Sequence, residues 1–373
     1  MSDLRFDLHG LAVSINVEDP GLRSFIAAHF EAEEGANPDA EVLVRTAWHW
    51  GSSPVPGFPA MPEETMRRVG GGAFLYRGRD DPDDVMRAVW SRVADFPELT
   101  MRFQMGGVNH CRLRVRADCS YVPRGVGRRI RYLRPTRVDR KKHRLFFKLM
   151  YFMIYYPVAW HLECIRGWGL LHACAVAMPS GKAILLAGQG GVGKSTLGLA
   201  LLSTPGAKLI SDNLVFHDET RVYACPEPVR LEARAVASLA EAGFEPQRSA
   251  VPLGAHPKPT FRVGPARRVP AAVPAAAFIM RRGRHPGSRR LGPDQMAEML
   301  RAGNDLAREI KDLRPCAALL TTMAAERGRP RRARRASLER LLGEASCGIF
   351  TIGEGETVAA AAARLTEVIS EPA

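Results

Sequence analysis

The stretch GQGGVGKST, residues 188–196, decides the fold of the C-terminal half of this 373-residue chain. It fits the pattern GxxxxGK[ST], in which glycines let the backbone turn so that successive N–H groups point at phosphate oxygens. A short apolar segment, residues 182–187, precedes it, and a second, residues 195–202, follows it. The order strand, glycine-rich loop, helix predicts an α/β domain that binds a nucleoside triphosphate.

The whole loop is expected to contribute to binding ATP and Mg²⁺. Lys194 is expected to reach the β- and γ-phosphates, and the Ser195 hydroxyl to bind the metal. The positive N-terminal end of the following helix adds to the attraction for phosphate. The predicted cofactor-binding residues are Gly188, Gln189, Gly190, Gly191, Val192, Gly193, Lys194, Ser195 and Thr196.

The strand before the loop is predicted to be the second arm of a hairpin. Residues 170–178 are apolar, residues 179–181 (Pro-Ser-Gly) form a turn, and residues 182–187 return. Antiparallel pairing about that turn puts residues whose numbers sum to about 361 opposite each other. His172 then lies beside Gly188 or Gln189, which favours a functional role over that of an ordinary core histidine.

A second polar position follows the next predicted strand, residues 207–210. In a parallel arrangement the C-terminal end of that strand meets the glycine-rich loop at one edge of the sheet. Asp212 would then face the metal and the transferred phosphate, where a carboxylate binds Mg²⁺ or accepts the proton of an attacking hydroxyl. The alternative is a simple Asp-Asn turn without chemistry.

Together these residues resemble the catalytic domain of the HPr kinase/phosphorylase family and its related kinases. The resemblance covers about residues 165–232 and rests on His172, the hairpin, the loop and Asp212, eighteen residues after Lys194. It implies that His172 and Asp212 assist phosphoryl transfer, with Asp212 acting as base toward a serine hydroxyl. It also implies the roles of Lys194 and Ser195 given above, and an HPr-kinase-like fold for the C-terminal domain.

Two departures from that family limit what the resemblance implies. The second acid of the family's pair is Asn213 here, and the family's glycine-rich signature with a further metal-binding acid is not recognisable. Neither reverse phosphorolysis nor HPr as substrate is therefore implied. Glu227 is a candidate for the missing acid. Three weaker candidates for binding phosphate or substrate are Arg230, Lys258 and Arg262, although such side chains in loops are most often solvated.

The chain is expected to divide into three parts. Residues 1–120 read as a smaller α+β domain with a regulatory, docking or oligomerisation role, and residues 166–373 as the kinase-like domain. Residues 121–165 read as a basic connector that runs into a buried apolar helix at 149–160. This apolar run is too short to span a bilayer, with contact at a membrane surface as the alternative.

Within the N-terminal part, alternation predicts a hairpin of residues 4–9 and 11–17, strands at 41–48, 72–77, 99–104 and 110–116, and helices at 21–33 and 84–96. In the C-terminal part, residues 277–281 and 348–352 read as strands and residues 356–370 as an Ala-rich helix. The Pro/Ala segment 269–276 reads as a loop or insertion.

The composition is that of a globular protein with an uneven excess of positive charge. The net charge is +14, and residues 121–150 carry eleven Arg or Lys against one acid, with a second cluster at 327–340. Such runs are usually solvated faces; an acidic partner or nucleic acid is the alternative. Seven cysteines without a CxxC spacing, and an N-terminus without a signal-peptide pattern, predict a cytoplasmic protein.

The leading hypothesis is an ATP- and Mg²⁺-dependent kinase acting on a hydroxyl of a protein, peptide or small molecule. One rival is a nucleotide-binding regulatory or scaffold protein with little phosphotransfer. Another is an ATPase motor that uses the basic connector to bind nucleic acid, which is disfavoured because no helicase-type motif is present. Whether the chain forms a homo-oligomer is left open.

Overall fold

The computed structural model describes residues 3–35, 40–50, 67–70, 72–77, 85–91, 93, 99–106, 112–121, 146, 149–248, 259–325 and 334–370. They form two compact units. Unit 1 holds the described residues up to Arg166 together with those from 312 to 325, and unit 2 holds the rest. The Pro/Gly-rich loop at 51–62, most of the basic connector and Lys258 lie outside the described residues.

A nine-stranded mixed sheet dominates unit 1, in the order β3-β1-β2-β4-β9-β8-β7-β6-β5. Its elements are β1 (Leu4–Leu8), β2 (Leu11–Val17), α1 (Pro20–Phe30), β3 (Glu33–Glu34), β4 (Val42–Trp50), β5 (Arg67–Gly70), β6 (Ala73–Tyr76), β7 (Met86–Ser91), β8 (Leu99–Gly106) and β9 (Arg112–Tyr121). The pairs β2–β4 and β4–β9 are parallel, and the other pairs are antiparallel. The predicted first hairpin and the predicted strands of this part are confirmed.

The helix predicted for residues 84–96 is wrong, because residues 86–91 form the strand β7. Met86, Ala88 and Trp90 lie on one buried face at the period of a strand, and Val89 on the other face is buried as well. The strand pairs with β6 on one side and β8 on the other. The sequence DDPDD at residues 80–84 resembles a helix N-terminus, but hydrogen bonds to strands on both sides and the burial of side chains favour a strand.

The apolar run at 149–160 is helical and buried, as predicted. A π-helical turn, Tyr151–Tyr155, leads into α2 (Tyr156–His161), and a second π-helical turn, Leu162–Arg166, follows. Every residue from 149 to 162 is buried. The side chains of residues 149–162 therefore contribute to the core of unit 1. Among the described residues, no helix is both long and apolar enough to cross a membrane.

Unit 2 is built on a six-stranded sheet in the order β13-β11-β12-β20-β22-β21, with two smaller sheets, β10-β14-β15-β19 and β16-β18-β17. The strands are β10 (Gly169–Leu171), β11 (Ala173–Ala177), β12 (Ala183–Ala187), β13 (Lys208–Ser211), β14 (Val215–His217), β15 (Val222–Ala224), β16 (Val229–Arg230), β17 (Gln247–Arg248), β18 (Thr260–Arg262), β19 (Ala271–Ala272), β20 (Pro274–Gly283), β21 (Gly287–Leu291) and β22 (Ser346–Gly353).

Helices cover both faces of the six-stranded sheet. They are α3 (Lys194–Ala200), α4 (Ala233–Glu241), α5 (Pro293–Leu306), α7 (Arg334–Leu341) and α8 (Val358–Ser370). The remaining helix, α6 (Arg308–Ala325), belongs to unit 1 from residue 312 onward. One apolar cluster joins α3, α4 and α8 to the sheet, and another joins α5 and α7 to it. Unit 2 is therefore an α/β sandwich of three layers, which confirms the predicted α/β class.

The directions of the strands decide which residues meet at one edge. β12, β20 and β22 are parallel to one another. β11 is antiparallel to both β12 and β13, so β13 runs in the same direction as β12. The carboxyl ends of β12, β13, β20 and β22 therefore lie along one edge of the sheet.

The loop predicted for 269–276 is wrong, because part of this segment forms β19 and the start of β20. Ala276 and Ala277 are fully buried in β20 between β12 and β22. Small side chains let neighbouring layers pack closely there. The predicted terminal strand and helix are confirmed as β22 and α8.

Candidate active site

The glycine-rich loop follows β12 and leads into α3, at the shared edge of the four strands. Gly188 has φ +134°, and a Cβ at this position would lie 2.7 Å from the Met280 carbonyl oxygen of β20. Gly193, the residue before α3, has φ +110°. Both positions need glycine, since a side chain would collide with the neighbouring strand or strain the backbone. The loop is thereby held tightly against the sheet.

Lys194 lies at the first position of α3 and is folded back over this loop. Its ammonium donates hydrogen bonds to the carbonyl oxygens of Gly188, at 2.8 Å, and Gln189, at 3.1 Å. The residue is only 6% exposed. A cation is therefore held directly above a loop whose outer positions, Gly190 and Gly191, border open space.

Asp212 follows β13 at the same edge and is 4% exposed. Within the described residues its Oδ1 has no hydrogen-bond partner. Burial raises the pKa of the carboxyl above its ordinary value, against hydrogen bonding from the Ser195 hydroxyl and the charges of Arg230 and Lys194, which favour the carboxylate. The structure thus combines a buried acid, an unsatisfied oxygen and two nearby cations.

Asn213 has the left-handed backbone conformation, with φ +69°, and its side chain points to a second acid. Its Nδ2 donates to Glu227 Oε2 at 2.9 Å, and the other oxygen of Glu227 accepts from Arg230 Nη2 at 2.8 Å. The Glu227 side chain is 1% exposed. Glu227 is therefore held between Asn213 and Arg230, so a buried carboxylate is present near Asp212 although residue 213 is an asparagine.

A cavity of about 680 Å³ opens from the glycine-rich loop between the N-terminal parts of α3 and α8 and the helix α4. Lys194, Ser195, Thr196 and Arg230, all predicted from the sequence, line it. Glu232, Arg234, Glu241, Arg282 and Glu356 also line it. Its volume lies in the range that small-molecule sites occupy.

Arg282 is a residue of this cavity that the sequence analysis missed. It lies near the end of β20, and its Nη2 is 3.7 Å from the place where a Cβ on Gly193 would be. It forms no hydrogen bond or ion pair with any other described residue. Its exposed guanidinium therefore stands beside the loop with its donors unused. The sequence did offer one signal for Arg282. It is a positively charged residue two places after the buried apolar residues of β20, the strand next to β12.

The structure brings other predicted residues together less closely. The hairpin pairs Ala173 with Ala187, one residue from the predicted register, so His172 comes one step beyond the last pair, opposite Gly188. Its backbone N–H donates to Asn304 Oδ1 of α5 at 2.8 Å. His172, Asp212 and Arg262 are not among the described residues that line the cavity, and Asp212 reaches it through its hydrogen bond with the Ser195 hydroxyl. Arg262 lies in β18, paired with Gln247.

The described side chains fit a hydrated Mg²⁺ rather than an ion held by protein alone. No group of three His, Cys, Asp or Glu side chains could hold a metal in the described part of the chain. Mg²⁺ usually keeps several waters and takes only one or two protein ligands besides substrate phosphates. The Ser195 hydroxyl and the unpartnered Asp212 Oδ1 supply that smaller set.

Comparison with known proteins adds little to this geometry. No family model matches the chain, and no curated protein matches it. Among solved structures, the HPr(Ser) kinase/phosphatase from Coxiella burnetii is similar over 53% of this chain and 96% of its own, with 10% sequence identity and a TM-score of 0.23. At that TM-score the likeness supports no functional inference. Any inference about function therefore depends on the geometry of the site.

Proposed function

We propose that unit 2 is an ATP- and Mg²⁺-dependent phosphotransferase that transfers the γ-phosphoryl group of ATP to an acceptor hydroxyl. One observation carries this proposal: the buried Asp212, with an unpartnered oxygen, lies at the same sheet edge as the loop that holds Lys194. The sequence resemblance to HPr-kinase-related proteins supports the same assignment. Unit 1 is proposed to have a regulatory, docking or oligomerisation role.

The glycine-rich loop would bind the phosphates of ATP. Its backbone N–H groups and the positive end of α3 attract phosphate oxygens. When ATP binds, the Lys194 ammonium would exchange its hydrogen bonds to the loop carbonyls for bonds to the β- and γ-phosphates. This exchange lowers the free-energy cost of placing phosphates in the loop. Bound at Ser195 and Asp212, Mg²⁺ would neutralise the charge that develops on the phosphates.

Asp212 would act as the base. The proton of the acceptor hydroxyl would pass to the Asp212 carboxylate oxygen that does not bind Mg²⁺, while the hydroxyl oxygen forms a bond to the γ-phosphorus and the bond from that phosphorus to its bridging oxygen breaks to release ADP. Burial raises the pKa of this carboxyl, which brings its proton affinity closer to the operating pH than that of an exposed aspartate.

We propose that three further residues bind or orient the negatively charged γ-phosphoryl group. Arg282, which has no partner among the described residues, lies at the mouth of the loop and would contact the γ-phosphoryl oxygens. Arg230 would hold the same negative charge from the side of Asp212, fixed in place by Glu227. His172, opposite Gly188 in the hairpin register, would orient the γ-phosphoryl group. Most of the rate enhancement would come from positioning and electrostatics.

Calorimetric titration with Mg-ATP separates this proposal from its rivals. Wild-type protein is expected to bind one equivalent, Lys194→Ala to lose most of that affinity, and Asp212→Asn to retain it. In a γ-phosphate transfer assay, Asp212→Asn is expected to be inactive. Wild type that binds Mg-ATP but transfers nothing would favour a nucleotide-binding scaffold, and wild type that does not bind would exclude both.

A further inference from the structure

The end of β20, the turn after it and the strand β21 carry a concentration of positive charge, most of it outside the cavity. Residues 281–290 read RRGRHPGSRR and contain no acid. All the basic side chains of this segment are exposed: Arg281, Arg282, Arg284, His285, Arg289 and Arg290. We call these six residues the basic edge. Within the described residues, Arg282, Arg284 and Arg289 form no hydrogen bond or ion pair.

The topology places the basic edge beside the proposed active site. β20 and β22 are parallel, and β21 returns antiparallel on the far side of β22. The chain between β20 and β21 therefore crosses over the carboxyl end of β22, where a Cβ on Gly353 would lie 2.8 Å from Pro286. That end belongs to the same sheet edge as the glycine-rich loop. Arg282 belongs both to the basic edge and to the cavity.

β21 also leaves one side of its backbone unpaired. It is the last strand of the six-stranded sheet and pairs only with β22 in the part of the chain that the structure describes. An edge strand offers free N–H and C=O groups to an extended peptide. Arginines on the edge repel a second copy of the same strand. They attract a strand that carries carboxylates.

We infer that the basic edge binds an acidic segment of a polypeptide acceptor, and that this segment pairs with β21 as an added strand. This inference rests on the proposed phosphotransfer and names its substrate class: a peptide or protein hydroxyl with acidic residues at a distance from it. The unpaired backbone favours a polypeptide over nucleic acid. Residues 281–290 contain no Phe, Tyr or Trp that would offer a platform for stacking bases.

The geometry sets the spacing between the acidic segment and the hydroxyl. A peptide added to β21 lies four strand spacings from β12, or about 19 Å at about 4.8 Å for each spacing. An extended chain covers about 3.3 Å per residue, so about six residues span this distance. β21 itself pairs over five residues, which sets the length of the docked segment.

The test uses labelled synthetic peptides and the full chain. The probe is a peptide with the segment EVEVE separated by six residues from its only serine, and the matched peptide carries QVQVQ instead. Fluorescence anisotropy at low salt is expected to show binding of the acidic peptide at least about tenfold tighter than that of its neutral partner. The double variant Arg284→Glu, Arg289→Glu is expected to lose that preference.

Lys208→Glu is the matched control, because Lys208 is exposed on β13 at the opposite edge of the same sheet. It is expected to bind the acidic peptide as the wild type does. Each variant is also titrated with Mg-ATP, and unchanged affinity shows that the site is intact. If the double variant fails this check, the single changes Arg284→Gln and Arg289→Gln replace it, each with an intermediate loss expected.

Three results would overturn the docking surface: equal binding of the acidic and neutral peptides, equal loss in Lys208→Glu, or preference for a single-stranded oligonucleotide over the acidic peptide. Anisotropy does not depend on catalysis. Acidic-peptide binding without Mg-ATP binding would therefore contradict the proposed function and leave the docking surface standing, and the converse would contradict only the docking surface.

Discussion

Asn213 donates a hydrogen bond to Glu227 across 2.9 Å, and Glu227 is the nearly fully buried acid that holds Arg230. The pair explains how position 213 can lack an acid. A carboxylate there would face the buried carboxylate of Glu227, whereas the amide of Asn213 donates to it. The acid near Asp212 is thus supplied from the segment between β15 and β16.

Asn213→Asp is expected to impair the protein although it introduces the acid that the resemblance would call for. It replaces a donor by a like charge opposite Glu227, which costs about 2 kcal/mol in the free energy of unfolding. For a unit of about 200 residues, this lowers Tm by about 4–8 °C. Adding Glu227→Gln is expected to recover most of the loss, because the new amide can donate to the introduced carboxylate. Differential scanning calorimetry measures both, and an additive loss in the double variant would contradict the pairing.

Arg282→Ala is expected to weaken Mg-ATP binding about tenfold, because it removes the guanidinium that lies beside Gly193. Arg281→Ala is the matched control. Phe278 and Met280 pack on the face that carries α3, so alternation puts Arg282 on that face and Arg281 on the other. Titration calorimetry of both variants should separate them by that factor. Equal Mg-ATP affinities of the two variants would show that Arg282 does not contribute to the binding site.

Gly198→Ala is expected to destabilise unit 2, since a Cβ there would lie 2.3 Å from Cys174 Sγ. Overpacking of this kind costs about 1–3 kcal/mol. The double variant with Cys174→Ala removes the sulfur and should regain much of that stability. Chemical denaturation of the two single variants and the double variant measures the coupling, and the absence of any recovery would show that α3 packs differently against β11.

Asp212→Asn is expected to raise thermal stability at neutral pH while abolishing transfer. The folded state raises the pKa of Asp212 through burial, so it disfavours the carboxylate relative to the unfolded chain. The wild type therefore gains stability as pH falls through that raised pKa, and the asparagine does not. The advantage of the variant, about 2–4 °C in Tm for each kcal/mol, should be largest at neutral pH and shrink in acid. If the difference in Tm between the two proteins did not change with pH, this would contradict the conclusion that burial disfavours the Asp212 carboxylate.

The local patterns of unit 2 could be predicted from the sequence, and the contacts between distant segments could not. The glycine-rich loop, the hairpin and its register to within one residue follow from apolar runs separated by turn residues. Local sequence predicts a helix where β7 forms, because the acidic residues before it resemble a helix start, while the strands that pair with β7 lie in other segments of the chain.

The partner of Asn213 shows the same limit at the site. Glu227 follows it by fourteen residues, and only the fold of β14 and β15 brings the two together. Arg282 is eighty-eight residues from Lys194, and its place beside Gly193 depends on the parallel pairing of β12 with β20. Neither contact leaves a periodic trace in the sequence.

The most direct test of the account follows labelled phosphate from [γ-³²P]ATP in an extract of cells that lack this chain, after adding the wild-type protein or Asp212→Asn. The account predicts label in an acid-stable phosphate ester with the wild type and none with Asp212→Asn, although both bind Mg-ATP. Transfer by Asp212→Asn at the wild-type rate would contradict the assignment of Asp212 as the base.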